Sequence, residues 1–140
     1  MDLQTLLLSG NYRWDGNSKA NEEDIAALVS WCPVELPSEY LELLRASDGG
    51  EAQLSGYPHY VRIWSARNAI AQNLGYEIQH WLPGFIGIGD NGGSELVGFD
   101  SRCGKPYRVC TIPSMPMSWD DALGDAIDFC TFMQIIEKSE

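Results

Sequence analysis

A turn sequence between two short apolar runs strongly constrains how this chain can fold. Phe85-Ile86-Gly87-Ile88 and Leu96-Val97-Gly98-Phe99 are separated by Asp90-Asn91-Gly92-Gly93. Asp, Asn and Gly accept the backbone conformations of tight turns, whereas β-branched and aromatic residues are enriched in strands. The segment therefore predicts a β-hairpin, with Gly92 and Gly93 in its turn, and hence an antiparallel sheet.

Two helices are predicted before this hairpin. Asn21 is a favourable N-cap for the first, and Pro33 ends it. The second begins near Pro37, whose fixed φ suits a first helical turn, and ends where Gly49 and Gly50 permit a left-handed cap. Helical spacing predicts buried stripes, comprising Ile25, Leu28, Val29 and Cys32 in the first helix and Tyr40, Leu43 and Leu44 in the second.

The remaining segments have strand and helix patterns. Residues 60–64 and 107–112 predict strands, and residues 66–74 predict a helix that Ser65 caps and Gly75 ends. A long final helix is predicted to begin at Ser118, with an apolar side made of Trp119, Leu123, Ala126, Ile127, Cys130 and Met133. We therefore expect an α+β, two-layer domain over residues 1–140. Its mostly antiparallel sheet is flanked by N-terminal helices and a long C-terminal helix, and residues 1–20 form a loop-like extension.

The charge balance excludes several classes of partner. The chain has 140 residues, with 9 Lys+Arg against 20 Asp+Glu and a net charge of −11 at pH 7. Nucleic acids and anionic membranes are polyanions that favour Lys and Arg, so we expect the chain to bind neither directly. A basic protein partner is expected instead, because opposite charge accelerates association.

The cysteines and histidines give no pattern of a metal or cofactor site. Cys32, Cys103, Cys110 and Cys130 form no CxxC pair, and the two histidines lie far from every cysteine in sequence. Asp2 lies where a signal peptide carries Lys or Arg, and no apolar stretch approaches the roughly 20 residues that span a bilayer. We expect reduced thiols, no cofactor, no metal and a cytoplasmic protein.

Two groups of acidic residues are candidates for binding a partner. Asp121, Asp125 and Asp128 have i, i+4 and i+7 spacing, which would place them on one face of the predicted final helix. Like charges at that spacing are mildly destabilising, so their presence is consistent with a basic partner that binds them. A helix face that is simply exposed to solvent explains them as well. The second group begins the two N-terminal helices and comprises Glu22, Glu23, Glu39 and Glu42.

Catalytic patterns have simpler structural interpretations. Residues 87–92 match GxGxxG, but a dinucleotide site needs a helix after that loop, and a strand is predicted there. His59 and His80 could act as general bases, with Cys103 or Cys110 as a nucleophile, but nothing in the sequence brings them together. We expect packed or surface histidines and no enzyme.

Three stretches together resemble the SUKH superfamily, which includes the fungal Smi/Knr-type cell-wall regulators. They are Leu36-Pro37-Ser38-Glu39-Tyr40 through Asp48-Gly49-Gly50, the hairpin from Ile86 to Asp100, and the segment from Ser118-Trp119 to Phe132. The resemblance covers about residues 20 to 137 and implies an α+β domain without catalysis.

The resemblance implies two alternative functions. Most bacterial members are similar to immunity proteins that neutralise a cognate toxin, often a nuclease, in polymorphic toxin systems. Other members resemble regulatory scaffolds of the Smi/Knr type. A nuclease is basic where it holds nucleic acid, so acidic residues on an inhibitor would complement it. A small-ligand binder that uses the hairpin loop with His59 or His80 is the remaining alternative.

Overall fold

A computed structural model of the chain describes residues 10–138. Seven strands and five α-helices lie within these residues. In chain order they are β1 (Asp15–Gly16), α1 (Glu22–Trp31), α2 (Ser38–Ala46), β2 (Gly50–Gln53), β3 (Tyr60–Ile63), α3 (Ala66–Gly75), α4 (Ile78–Trp81), β4 (Phe85–Asp90), β5 (Glu95–Asp100), β6 (Arg108–Pro113), β7 (Leu123–Ala126) and α5 (Phe129–Met133). A 3-10 turn (Trp119–Asp121) precedes β7. The predicted α+β class and antiparallel sheet are confirmed.

The strands form one antiparallel sheet in which each strand pairs with the next in sequence. The predicted hairpin is its centre: β4 and β5 pair in the register Phe85↔Asp100. At the turn, Asp90 Oδ1 accepts the Gly92 N–H at 2.8 Å and Asn91 Oδ1 accepts the Gly93 N–H at 3.1 Å. These side chains supply the hydrogen bonds of an Asx turn, which explains why Asp and Asn stand there.

The three strands β4, β5 and β6 are buried at consecutive positions along most of their length. Successive strand side chains point to opposite faces, so both faces of this part of the sheet are covered. On one of them Tyr40 of α2 makes edge-to-face contacts with Phe99, at 5.5 Å between ring centroids, and with Phe129, at 5.6 Å. This aromatic cluster joins α2 and α5 to the sheet.

The N-terminal helices begin as the sequence predicts. Asn21 Oδ1 accepts the Asp24 N–H at 2.8 Å, which caps α1. Ile25 and Leu28 are buried, whereas Val29, expected in the core, is 47% exposed. The buried face of α1 comprises Ile25 and Leu28, and Val29 lies just outside that face.

A buried side-chain amide takes the place of a strand beside β4. The chain leaves the sheet after Trp64, whose N–H donates to Ile88 O at 2.9 Å. Farther along β4, Asn73 of α3 donates to Gly87 O at 2.8 Å and accepts from Gly87 N at 3.0 Å. Backbone groups that would otherwise be buried without partners are thereby satisfied.

The predicted long C-terminal helix is wrong. Its first turn is only 3-10, its middle is β7, and only its last five residues, Phe129–Met133, are α-helical. Leu123 pairs with Thr111 of β6, and Gly124, a poor helix former, pairs with Cys110. Pairing with β7 gives the backbone groups at the edge of β6 hydrogen-bond partners. Leu123 and Ile127, expected on an apolar helix face, are consequently 52% and 61% exposed.

Candidate partner-binding site

A cleft of about 330 Å³ lies between the beginnings of α2 and α5. The residues that line it come from three segments and comprise Pro37, Ser38, Glu39, Lys105, Pro106, Tyr107, Asp128, Phe129 and Cys130. These three segments are far apart in the sequence, so only the fold brings them together. We define the acidic cleft as this space together with Glu42, one turn along α2 from Glu39.

Each wall of the acidic cleft has a local reason for its position. Pro37, with φ −58° and ψ 138°, stands at the N-cap of α2 and places Glu39 in the first turn, where a carboxylate suits the helix dipole. Asp128 is the N-cap of α5, and its Oδ1 accepts the Thr131 N–H at 2.8 Å. Phe129 is buried against Tyr40, which fixes the two helix beginnings relative to each other.

Cys130 lines the cleft together with carboxylates from both helix beginnings, Glu39 and Asp128. Burial raises the pKa of the Cys130 thiol, and nearby negative charges raise it further. Those charges belong to Asp128, Glu39 and Glu42, so carboxylates from two helices act on one thiol. Such a thiol is a poor nucleophile, because its thiolate is disfavoured.

Lys105 is a basic residue at the rim of the cleft, and it has an internal partner. Its Nζ donates to Glu35 Oε1, and this contact holds the pKa of the Glu35 carboxyl below its ordinary value. Tyr107, whose hydroxyl donates to Glu35 O at 2.9 Å, fixes the same corner. The sequence gives no indication that Lys105, Tyr107 and Cys130 share a site with Glu39, because no periodicity links them to α2.

The two groups of predicted acids are divided and recombined by the fold. Glu39 and Asp128 both line the acidic cleft, although the sequence places them in different groups, and Glu42 lies one turn along α2 from Glu39. Glu22 lies elsewhere and forms an ion pair with Arg45 at 3.3 Å.

The remaining predicted acids do not share a helix face. Glu23 is exposed in the first turn of α1, and Asp121 is exposed in the 3-10 turn. The side chain of Asp125, within β7, lies outside the described part of the structure. The common helix face expected for Asp121, Asp125 and Asp128 therefore does not exist.

The positive charges of the chain are largely neutralised by internal contacts. Within residues 10–138, six of the nine Lys and Arg residues form ion pairs, namely Arg13–Glu137, Arg45–Glu22, Arg62–Asp90, Arg67–Asp24, Arg102–Asp100 and Lys105–Glu35. Exposed pairs of this kind add little stability. They do leave the surplus of carboxylates as the dominant charge that a partner meets.

Comparison with protein families identifies the fold. A model of the SMI1 / KNR4 family (SUKH-1) matches residues 19–134, which include all five described helices and the sheet from β2 to β7. The chain belongs to the SMI1 / KNR4 (SUKH-1) family. The resemblance of the sequence to the SUKH superfamily is thereby confirmed. A comparison with curated proteins gave no match.

Three of the four glycines that the sequence assigns to the end of α2 and to the hairpin turn lie close to neighbouring groups. A Cβ at Gly49, where φ is 81°, would lie 2.4 Å from Ile63 O, and one at Gly50 would lie 2.5 Å from the Trp14 ring. Gly92 also has φ 81° and lies against the Tyr60 ring, whereas a Cβ at Gly93 would make only an ordinary van der Waals contact, 3.5 Å from Asn91 Oδ1. The first three positions therefore require glycine sterically, and Gly93 does not.

The hairpin of this SUKH-1 chain uses Asp90 as a structural hub. Its carboxylate accepts the Trp64 indole N–H at 2.8 Å and pairs with Arg62 at 3.1 Å. The same side chain holds the turn at Gly92. These contacts occupy Asp90 internally, and β5, rather than a helix, follows the GxGxxG sequence.

The histidines lie in separate aromatic contacts. His59 packs edge-to-face on Tyr57 and His80 on Trp81, with ring centroids 5.9 Å and 4.8 Å apart. Cys103 is exposed and Cys110 is buried. Within residues 10–138, no group of three or more His, Cys, Asp or Glu side chains is arranged to hold a metal ion. No helix in the same range is long and apolar enough to cross a bilayer.

Proposed function

We propose that this SUKH-1 protein is a non-catalytic binding module of the immunity type, which neutralises a basic toxin domain in the cytoplasm. The presence of Glu39 and Asp128, from two different helix beginnings, in the lining of one cleft carries the proposal. Family membership supports a protein-binding role, and the net charge of −11 supports a basic partner.

The chemistry of the acidic cleft suits a nuclease toxin in particular. A nuclease concentrates Lys and Arg where it holds phosphates. Carboxylates that meet those cations compete with the nucleic acid, and they also steer the two proteins together at low salt. An Arg side chain of the partner would suit the cleft best, because its planar guanidinium donates two parallel hydrogen bonds to one carboxylate.

A charge reversal at Glu39, compared with the same change at Glu23, tests this proposal. Both glutamates are exposed and lie in the first turn of a helix. If a toxin-like protein is encoded beside this gene, its affinity for the wild-type chain and each variant is measured by calorimetry. We expect Glu39→Lys to weaken binding about tenfold or more, which corresponds to about 1.4 kcal/mol, and Glu23→Lys to weaken it less than about threefold.

Three outcomes separate the alternatives. Equal losses for Glu39→Lys and Glu23→Lys would mean that only the overall charge matters, and would remove the acidic cleft from the interface. Unchanged affinity for both variants would place the interface elsewhere. Absence of any toxin-like partner, with binding to a cellular protein instead, would favour the regulatory scaffold of the Smi/Knr type. A thermal unfolding scan of each variant verifies that the fold is intact.

A further inference from the structure

An exposed apolar groove of about 440 Å³ lies where the C-terminal ends of α3 and α4 face the segment after β6. Tyr76 and Trp81 form one side, and Met115, Pro116 and Met117 form the other. None of these residues belongs to the acidic cleft. The groove was not predicted, because its two sides are far apart in sequence.

Several large apolar side chains of the groove are exposed to solvent. Trp81 is 56% exposed and Met115 is 88% exposed, and Tyr76 is exposed beside them. Adjacent large apolar side chains on a surface mark interaction sites, whereas isolated ones need no explanation. Trp and Tyr supply binding energy as rigid anchors, and Met adapts its shape to a guest.

The acidic residues that follow the groove residues in sequence favour a positively charged binding partner. The described residues that line the groove are all uncharged. Glu77 directly follows Tyr76, and Asp120 and Asp121 come shortly after Met117; all three are exposed. A second copy of this chain would bring another net charge of −11 to the same place, which like-charge repulsion opposes. A basic guest gains from the same carboxylates.

We propose that this groove binds a basic amphipathic segment of a protein partner. One large apolar side chain of the segment occupies the space between Trp81 and Met115, and flanking Lys or Arg residues approach Glu77 and Asp120. This is the groove mode of peptide recognition, in which an apolar face docks and charges set its orientation. The proposal is independent of the toxin proposed for the acidic cleft.

The test uses the full chain and a fluorescent Leu/Lys peptide of about 15 residues designed as an amphipathic helix. A peptide of the same composition with scrambled order is the control for charge alone. Binding is followed by anisotropy in about 10 mM and about 100 mM NaCl, between which the Debye length falls from ~30 Å to ~10 Å. We expect saturable binding of the amphipathic peptide and at least about tenfold weaker binding of the scrambled one.

Matched variants locate the site. We expect Met115→Ala and Trp81→Ala to weaken peptide binding about tenfold or more, and Ile127→Ala, at a comparably exposed residue outside the groove, to change it less than about twofold. Glu77→Lys should weaken binding mainly at low salt. Glu39→Lys, at the acidic cleft, should change peptide binding less than about twofold in about 100 mM NaCl, where charges outside the groove are screened. Since Met115 is almost fully exposed, its variant tests the groove without disturbing the core.

Other results would overturn the proposal. Equal binding of the scrambled peptide would show attraction by charge alone. Wild-type affinity in both Met115→Ala and Trp81→Ala would place the peptide elsewhere. Sedimentation of the free protein as a dimer that Met115→Ala dissociates would make a second copy the occupant. Failure of Glu39→Lys to affect a toxin would contradict only the function proposed for the acidic cleft.

Discussion

At the scale of single residues, Tyr40 combines two opposing contributions to stability. Its ring is at the centre of the aromatic cluster with Phe99 and Phe129. Its hydroxyl is buried without a hydrogen-bond partner among residues 10–138, and burial raises the pKa of this group. The ring stabilises the core, whereas an unsatisfied hydroxyl costs free energy.

We therefore expect Tyr40→Phe to raise the free energy of unfolding by about 1 kcal/mol, since it removes the unsatisfied group and keeps the ring. Urea denaturation measures the change. Tyr107→Phe is the matched control, because the Tyr107 hydroxyl does have a partner, Glu35 O. That control should lose about 1 kcal/mol. A loss of similar size in Tyr40→Phe would reveal a hydrogen bond to the Tyr40 hydroxyl.

Gly49 offers a second prediction at this scale. Gly49 and Gly104 have nearly the same positive φ, 81° and 79°. A Cβ at Gly49 would lie 2.4 Å from Ile63 O, whereas a Cβ at Gly104 would have no described residue other than its chain neighbours within 4 Å. Gly104→Ala should cost about 1 kcal/mol from the left-handed backbone alone, and Gly49→Ala distinctly more. Equal costs by thermal or urea unfolding would mean that β3 moves away freely.

At the scale of elements, the segment after β6 shows how tertiary pairing outweighs a helical pattern. The apolar spacing from Trp119 to Met133 predicts one helix. The structure divides it at Gly124, and Asp128 then caps the short α5. Asp128 was selected from the sequence as a surface charge, but its side chain also begins an element.

Two substitutions at Asp128 separate these roles. Asp128→Ala removes the acceptor for the Thr131 N–H and should cost about 1 kcal/mol of unfolding free energy. Asp128→Asn keeps an acceptor oxygen and removes the charge, so its stability should stay within about 0.5 kcal/mol of wild type. Asp121→Ala serves as the exposed control. Comparable losses in the Ala and Asn variants, measured by urea unfolding, would mean that charge rather than capping stabilises α5.

At the scale of the whole molecule, the surplus of carboxylates opposes compactness. The chain has a net charge of −11, and six of its cations each pair with one carboxylate within residues 10–138. Carboxylates outside these pairs therefore dominate the electrostatic interactions of the surface. Self-repulsion between exposed charges weakens with ionic strength, because salt screens it.

The melting temperature should therefore rise by a few degrees as NaCl increases from about 10 mM to about 100 mM. A Glu23→Gln/Asp121→Asn double variant, which removes two exposed charges, should show a smaller rise. Scanning calorimetry measures both proteins. A melting temperature that falls with NaCl would indicate that the six ion pairs contribute more to stability than repulsion takes away.

The sequence by itself determined the hairpin, the beginnings of α1 and α2, and the acidity, because each depends on neighbouring residues. Asn21 caps within one turn, and the Asp90-to-Gly93 turn bonds within itself. Only the tertiary structure decided the rest. Asn73 bonds the backbone of Gly87 where a strand would otherwise lie, β7 pairs with the edge of β6, and Glu39 and Asp128 line one cleft. Each arrangement brings together segments that are far apart in the chain. A buried edge or helix end must find a partner, and the fold determines which distant residue supplies it.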